Sequence, residues 1–248
     1  MNRLVILGAG ESGVGAALLA KKEKWEVFVS DAGTIKPSFK NELSSVDIDF
    51  EEGKHSREKI LNASLIVKSP GIPEKNEMVK EIRKKGIELI SEIEFAYRYK
   101  GKSKIVGITG SNGKTTTTAM IYHICKNGGA DCALVGNIGF SFARQVAADP
   151  KELYVVEVSS FQLDDIKTFR PDVAVLTNIT EDHLDRYEYK FENYINSKFR
   201  ILENQTENDF FIYNEDDEIT KKYLNKFLNN TNLLPISMNH ELPEGAYI

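Results

Sequence analysis

The stretch that most constrains this chain runs from Gly107 to Thr118, Gly-Ile-Thr-Gly-Ser-Asn-Gly-Lys-Thr-Thr-Thr-Thr. Ile105 to Ile108 is an apolar run that reads as a buried strand, and Ala119 to Ile124 reads as a helix packed against it. Glycines between the two let backbone N–H groups turn inward around an anion at a helix N-terminus, whose dipole also favours negative charge. Lys114 adds a mobile cation for outer phosphates, and Thr115 adds a hydroxyl suited to a phosphate-bound Mg²⁺. The common pattern Gly-x-x-x-x-Gly-Lys-Ser/Thr would place glycine where Ile108 stands, so the match departs at one position. A glycine-rich strand-to-helix turn with a lysine by chance is the alternative, and the strand–loop–helix context favours phosphate.

With 248 residues, 41% hydrophobic and 28% charged, the chain can bury a sizeable core as one large domain or two ordinary ones. The net charge of -5 is dispersed, and no Lys/Arg block offers a nucleic-acid footprint. Leu4 to Leu7 is too short for a signal sequence, and no apolar run approaches the ~20 residues of a membrane helix. We therefore expect a cytoplasmic protein with no nucleic-acid partner and no membrane insertion. Cys125 and Cys132 lack metal-ligand spacing and read as buried free thiols.

The N-terminal part alternates strand and helix. Leu4 to Leu7 is followed by Gly8-Ala9-Gly10-Glu11-Ser12-Gly13 and an apolar helix, a βα turn of the Rossmann kind. Val27 to Val29 forms a second strand ending near Asp31, at about the interval where an acid meets a nucleotide ribose. Taken alone this predicts NAD, although the same glycine pattern serves several nucleotides and plain tight turns. Leu65 to Val67 is a strand running into Ser69-Pro70-Gly71, Asn76 to Lys85 is a helix, Ile87 to Ile90 a strand and Ile93 to Tyr99 a helix. The polar stretch from Tyr99 to Lys104 reads as a domain boundary. The expected organisation is α/β, with a Rossmann-like parallel-sheet domain over 1–98, a linker over 99–104 and a P-loop domain over 105–248.

In the second domain, strands at Cys132 to Val135, Leu153 to Val156 and Val173 to Leu176 each deliver a polar cluster at the C-terminal edge, where open α/β sheets bind ligands. Phe191, Ile195, Phe199 and Leu202 mark an amphipathic helix, with Lys198 off the apolar stripe. Phe210 to Tyr213 is a strand, Asn214 to Asp217 cap a helix through Phe227, and Leu233 to Ser237 reads as one more strand. No closing element is recognisable in Pro243 to Ile248.

Four ordered clusters, Gly110-Ser111-Asn112-Gly113-Lys114-Thr115-Thr116, Gly136-Asn137-Ile138-Gly139, Glu157-Val158-Ser159-Ser160-Phe161-Gln162-Leu163 and Thr180 to Tyr187, together resemble the Mur ligases. The Ser-Ser-Phe-Gln-Leu variant is similar to the D-glutamate-adding branch and disfavours the folate-adding relatives. The Ile108 departure is also what that family shows. The resemblance spans the chain from Leu4 and is weakest in Thr34 to Asn62 and after Phe227. It implies a third domain beyond Ile248 and a central domain that continues past it, so the chain is expected to be C-terminally truncated and to bind substrate without turnover.

The resemblance implies an ATP-dependent ligase that joins D-glutamate to UDP-N-acetylmuramoyl-L-alanine through an acyl phosphate, in peptidoglycan precursor synthesis, acting as a monomer. It places ATP on Gly110, Ser111, Asn112, Gly113, Lys114, Thr115 and Thr116. Thr115 and Glu157 would hold one Mg²⁺, and Glu157, His183 and a carbamylated Lys198 would serve a second. Lys114, Asn137, Glu157, His183 and Lys198 are the implied catalytic set. Gly10, Glu11, Ser12, Asp31, Ala32, Ser69, Pro70 and Gly71 would bind the uridine nucleotide, and Asn137, Ser159, Gln162 and His183 the muramoyl-alanine end. Ala32-Gly33 departs from the hydroxyl or arginine that often follows the matching acid, which leaves the uracil contacts open.

Blander readings stand beside these. Glu157 could be a solvated strand-end acid, His183 a capping or core residue or a general base, and Lys198 an ordinary surface lysine. For the whole chain the competing class is an NAD-dependent oxidoreductase or dinucleotide-sensing module.

Overall fold

Apolar runs that can be buried on both faces form the strands of two parallel sheets in the computed structural model, which describes residues 2–228 and 230–248. The first sheet is built from β1 (Arg3–Leu7), β2 (Glu26–Ser30), β3 (Asp49–Glu51), β4 (Leu65–Lys68) and β5 (Glu88–Ser91). Between them run α1 (Glu11–Lys22), α2 (Pro37–Ser45), α3 (Arg57–Ile60) and α4 (Glu77–Lys84), with α5 (Glu92–Tyr99) after the last strand. The strand order is β3-β2-β1-β4-β5, and every pairing is parallel. β1 is central, with Leu4 opposite Val27 of β2 and Leu65 of β4. Val5, Leu7, Phe28, Ile66, Val79 and Ile82 form part of one buried cluster that closes the face covered by α4.

The second sheet contains β6 (Lys104–Thr109), β7 (Cys132–Gly136), β8 (Leu153–Glu157), β9 (Val173–Leu176), β10 (Phe210–Asn214), β11 (Asn232–Ser237) and β12 (Ala246–Tyr247). Its order is β12-β11-β10-β9-β6-β8-β7, again parallel throughout. The helices are α6 (Lys114–Asn127), α7 (Phe142–Ala148), α8 (Ser160–Leu163), α9 (Phe191–Phe199) and α10 (Glu218–Phe227). Ile108, Val155 and Val175 are packed by Ile121 and Tyr122 of α6, so that helix lies on the sheet as its pattern indicates, while its Met120 and Ile124 face outward. Capping side chains set the helix starts: Asn76, Ser91, Ser141 and Asp217 each accept a backbone N–H of the first turn of α4, α5, α7 and α10.

The chain separates into two compact units. One comprises the chain through Gly101 together with Gly139–Pro150 and Asp165–Lys167, and the other comprises Lys102–Ile138, Lys151–Asp164 and Thr168–Ile248. Helix α7 thus clusters with the first unit although it connects β7 to β8 in sequence. Within that unit Arg144 of α7 binds Glu11 with Nε and Nη2 at 2.7 and 3.1 Å, and also pairs with Glu42.

Two expectations are corrected. Cys125 is half-buried and only Cys132 is buried, because Cys125 lies on the partly exposed α6. The segment Pro243 to Ile248 does contain a strand, β12, which pairs with β11 through Ile236 and Ala246. Residues 34–62, where the resemblance is weakest, form α2, β3 and α3.

Candidate functional site

The phosphate loop closes β6 onto α6 through two left-handed glycines. Gly110 has φ +144° and Gly113, the N-cap of α6, has φ +81°. A Cβ on Gly110 would lie 1.9 Å from Thr177 Oγ1, so the close approach of the β9 end itself requires glycine. Ser111 and Asn112 bind that same end. Ser111 N donates to Asn178 O and its hydroxyl meets Thr180 O at 3.0 Å, while Asn112 N donates to Asn178 Oδ1 at 3.0 Å. Lys114 folds back, its Nζ donating to Gly110 O and Ser111 O, each at 2.8 Å. Thr115 and Thr116 are exposed on the first turn of α6.

Glu157 ends β8, the neighbour of β6. It is 1% exposed; Oε1 accepts Asn137 Nδ2 at 2.9 Å, and Oε2 is buried with no hydrogen-bond partner among the described residues. An orphaned buried carboxylate oxygen is costly, and a cation is the group that would satisfy it. A hard carboxylate oxygen and a threonine hydroxyl suit Mg²⁺ rather than a soft metal. Among the described residues no group of three or more His, Cys, Asp or Glu side chains could hold a metal. An ion here would therefore draw further oxygens from a ligand and water.

Lys198 departs from its expected place off the apolar stripe: it is 2% exposed, its Nζ donating to Gly110 O at 2.7 Å and lying 5.1 Å from the Tyr194 ring centroid. Burial, and then the charge of Lys114, push its pKa from 10.5 down to about 7. Sequence spacing missed this because the carbonyl it meets belongs to a loop 88 residues away. His183 is exposed on the β9–α9 connection, at φ +51°, with its backbone N–H on Asp182 Oδ1 and its ring 5.1 Å from that of Phe161. Ser159 and Gln162 engage each other in a capping box at the start of α8, and Gln162 is buried.

The first unit has a cleft of about 460 Å³ whose lining includes Gly10, Glu11, Ser12, Asp31, Ala32, Ser69, Pro70 and Gly71, the residues named from sequence. His55 also lines it and was not anticipated. Gly8 and Gly13 make the turn tight, since a Cβ on Gly13 would lie 1.9 Å from Gly8 O. Gly10 is the N-cap of α1 with open space beside it, so the helix N-terminus is accessible to an anion. Two expected contacts are engaged within the protein. Glu11 is held by Arg144. Asp31 accepts Ala9 N at 2.6 Å and Gly33 N at 2.7 Å, which makes it a clasp for the glycine turn and counts against the ribose-binding role that an NAD site requires.

Two parallel α/β units, one with a Rossmann strand order and a glycine turn, the other with a phosphate loop beside an orphaned carboxylate, define a two-unit α/β protein. Residues 108–243 match the Mur ligase middle domain, and residues 2–91 match the Mur ligase MurD-like N-terminal domain. The chain belongs to the Mur ligase family. It is 50% identical over 247 residues to UDP-N-acetylmuramoylalanine--D-glutamate ligase of Christiangramia forsetii, covering 100% of this chain and 55% of that protein. To the Cytophaga hutchinsonii protein of the same name it is 54% identical, covering 99% and 55%. The chain thus spans about half the length of the curated relatives it matches. Among solved structures, UDP-N-acetylmuramate:L-alanyl-gamma-D-glutamyl-meso-diaminopimelate ligase from Neisseria meningitides shares the fold, with TM-score 0.67 and 20% identity over 99% of this chain and 82% of that one.

Proposed function

We propose that this chain provides the substrate-nucleotide and ATP units of a cytoplasmic, monomeric ligase that adds D-glutamate to UDP-N-acetylmuramoyl-L-alanine in peptidoglycan precursor synthesis. The observation that carries the reading is the orphaned Oε2 of Glu157 at the edge of a phosphate-loop sheet. The names of relatives at 50% identity and above support the substrate pair.

Amide formation from a carboxylate needs an activated acyl group. Here the alanyl carboxylate attacks the γ-phosphorus of ATP, giving an acyl phosphate and ADP, and the amine of D-glutamate then displaces phosphate. Both first reactants are anions, and two unit charges ~4 Å apart repel by about 4 kcal/mol at an effective dielectric of 20. Lys114, which in this structure binds loop carbonyls, transfers to the outer phosphates when nucleotide enters, with Gly110 to Thr116 around them. Thr115 and Glu157 would hold Mg²⁺, and Glu157 with His183 a second ion; bound there, Mg²⁺ screens the phosphate charge. Asn137 fixes the Glu157 carboxylate through its 2.9 Å hydrogen bond.

Lys198 is the residue for carbamylation. A neutral amine adds CO₂ and releases a proton, and a pKa near 7 supplies that neutral amine. The resulting carbamate converts a buried cation into an anion able to orient metal. Intact-mass measurement in bicarbonate checks it, with an added carboxyl group lost in Lys198→Arg as the expected result.

Titration with UDP-N-acetylmuramoyl-L-alanine against NADH tests the reading as a whole. The expected result is binding of the UDP ligand with no competition from NADH. NADH binding without any effect of the UDP ligand would reinstate the dinucleotide reading.

A further inference from the structure

On the β2–β3 side of the first unit's cleft, Asp31 accepts two backbone amides and Ala32 beside it has no polar side-chain atom. His55, between β3 and α3, is the remaining titratable side chain that lines this side.

The state of its ring follows from a short relay. Burial pushes the Glu51 carboxyl upward, but hydrogen bonds from Ser56 and Ser30 more than reverse this and hold it below the usual range, so it is an acceptor only. Ser30 Oγ lies 2.7 Å from Glu51 Oε1 and 2.7 Å from His55 Nδ1. The hydroxyl has one proton, and the carboxylate takes it in preference to the Lys54 carbonyl at 3.4 Å. Ser30 Oγ then accepts from Nδ1–H, an assignment made from the hydrogen-bond network. Burial lowers the pKa of His55 despite Asp31 and Glu51, which keeps the ring neutral. Nε2 is left as an acceptor at a residue that lines the cleft.

Position selects what this acceptor meets. A diphosphate at the glycine turn and the N-terminus of α1 lies over the end of β1, and β3 is two strands away in the sheet order, ~10 Å at the usual strand spacing. A nucleoside laid across the strand ends puts its ribose over β2 and its base at β3. We propose that His55 is a specificity-determining residue for the nucleobase, its Nε2 accepting the N3–H of uracil. This rests on the reading that the cleft holds a uridine nucleotide. Cytosine presents a lone pair at N3, so CDP would set two acceptors against each other, and an N3-methyl group would remove the donor and add bulk.

The test is calorimetric titration of the 248-residue chain with UDP, CDP and N3-methyl-UDP, repeated with His55→Phe. We expect the unsubstituted chain to bind UDP at least tenfold more tightly than either analogue, and His55→Phe to bind all three within about threefold. UDP and N3-methyl-UDP binding equally to the unsubstituted chain would overturn the proposal while leaving the uridine reading intact, and needs no variant to fold. Full discrimination in a folded His55→Phe would also overturn it. Absence of UDP binding to the unsubstituted chain would overturn the uridine reading and the proposal with it.

Discussion

Lys198 Nζ and Lys114 Nζ donate to the same acceptor, the carbonyl oxygen of Gly110, at 2.7 and 2.8 Å. Two lysine side chains therefore converge on one loop carbonyl, and the protonation of Lys198 depends on its burial and then on the charge of Lys114.

The pH dependence of Lys198 follows. Its pKa falls from 10.5 unfolded to about 7 folded, through burial and then Lys114. Below pH 7 both states carry the proton and the cost of burying the cation is complete. Between pH 7 and 10.5 the unfolded state binds more protons, so stability gains with rising pH. In bicarbonate-free buffer, urea unfolding at pH 6.5 and 9.5 should show the parent chain gaining stability relative to Lys198→Met. A pH-independent difference would contradict the assignment.

Glu92 has the opposite sign. It is buried, with Oε1 accepting Ala143 N and Oε2 without a hydrogen-bond partner among the described residues, and burial raises its pKa from 4.5 to about 7. Between those values the folded state keeps a proton that the unfolded state has lost, so stability declines as pH rises and levels off above 7. Glu92→Gln keeps an acceptor for Ala143 and removes the titration. At pH 8 it should be more stable than the parent by up to about 3 kcal/mol, and at pH 4 nearly equal to it, by chemical denaturation.

Gly110→Ala should cost at least about 2 kcal/mol and abolish nucleotide binding, because it meets both a positive φ and Thr177 Oγ1 at 1.9 Å. Thermal unfolding with and without an ATP analogue reads both effects. Unaltered nucleotide binding would mean that the loop conformation is not what holds the ligand.

Glu157→Gln should change stability by less than about 1 kcal/mol, since one buried group without a partner replaces another. The thermal shift given by an ATP analogue with Mg²⁺ should shrink to the shift seen in EDTA. A full Mg²⁺-dependent shift in the variant would remove Glu157 from the ion site.

Much of the sheet architecture was legible because parallel strands are buried on both faces and so appear as continuous runs such as Leu4 to Leu7 or Val173 to Leu176. β3 was not: three residues with Asp49 exposed carry no periodic signal. The strand–loop–helix form of the phosphate loop was readable because its glycine pattern is local in sequence, whereas Glu157 was singled out only through the family resemblance. The pairing of Arg144 with Glu11, 133 residues apart, and the burial of Lys198 on a loop carbonyl were not readable, since they arise only when separate elements pack. His55 carries no motif, and only its relay through Ser30 to Glu51 gives it a defined state.

Two glycine loops are expected to hold two different ligands, the UDP ligand at Gly8–Gly13 and ATP at Gly107–Thr115. Titrating UDP-N-acetylmuramoyl-L-alanine and an ATP analogue with Mg²⁺ into Ser12→Asp and Lys114→Ala separates the two loops. Asp at the second position of α1 favours the helix dipole yet repels a diphosphate. Ser12→Asp should weaken the UDP ligand at least tenfold and leave the ATP analogue within twofold, with Lys114→Ala giving the reverse. Loss of both ligands in either folded variant, or loss of the UDP ligand in Lys114→Ala alone, would contradict the claim.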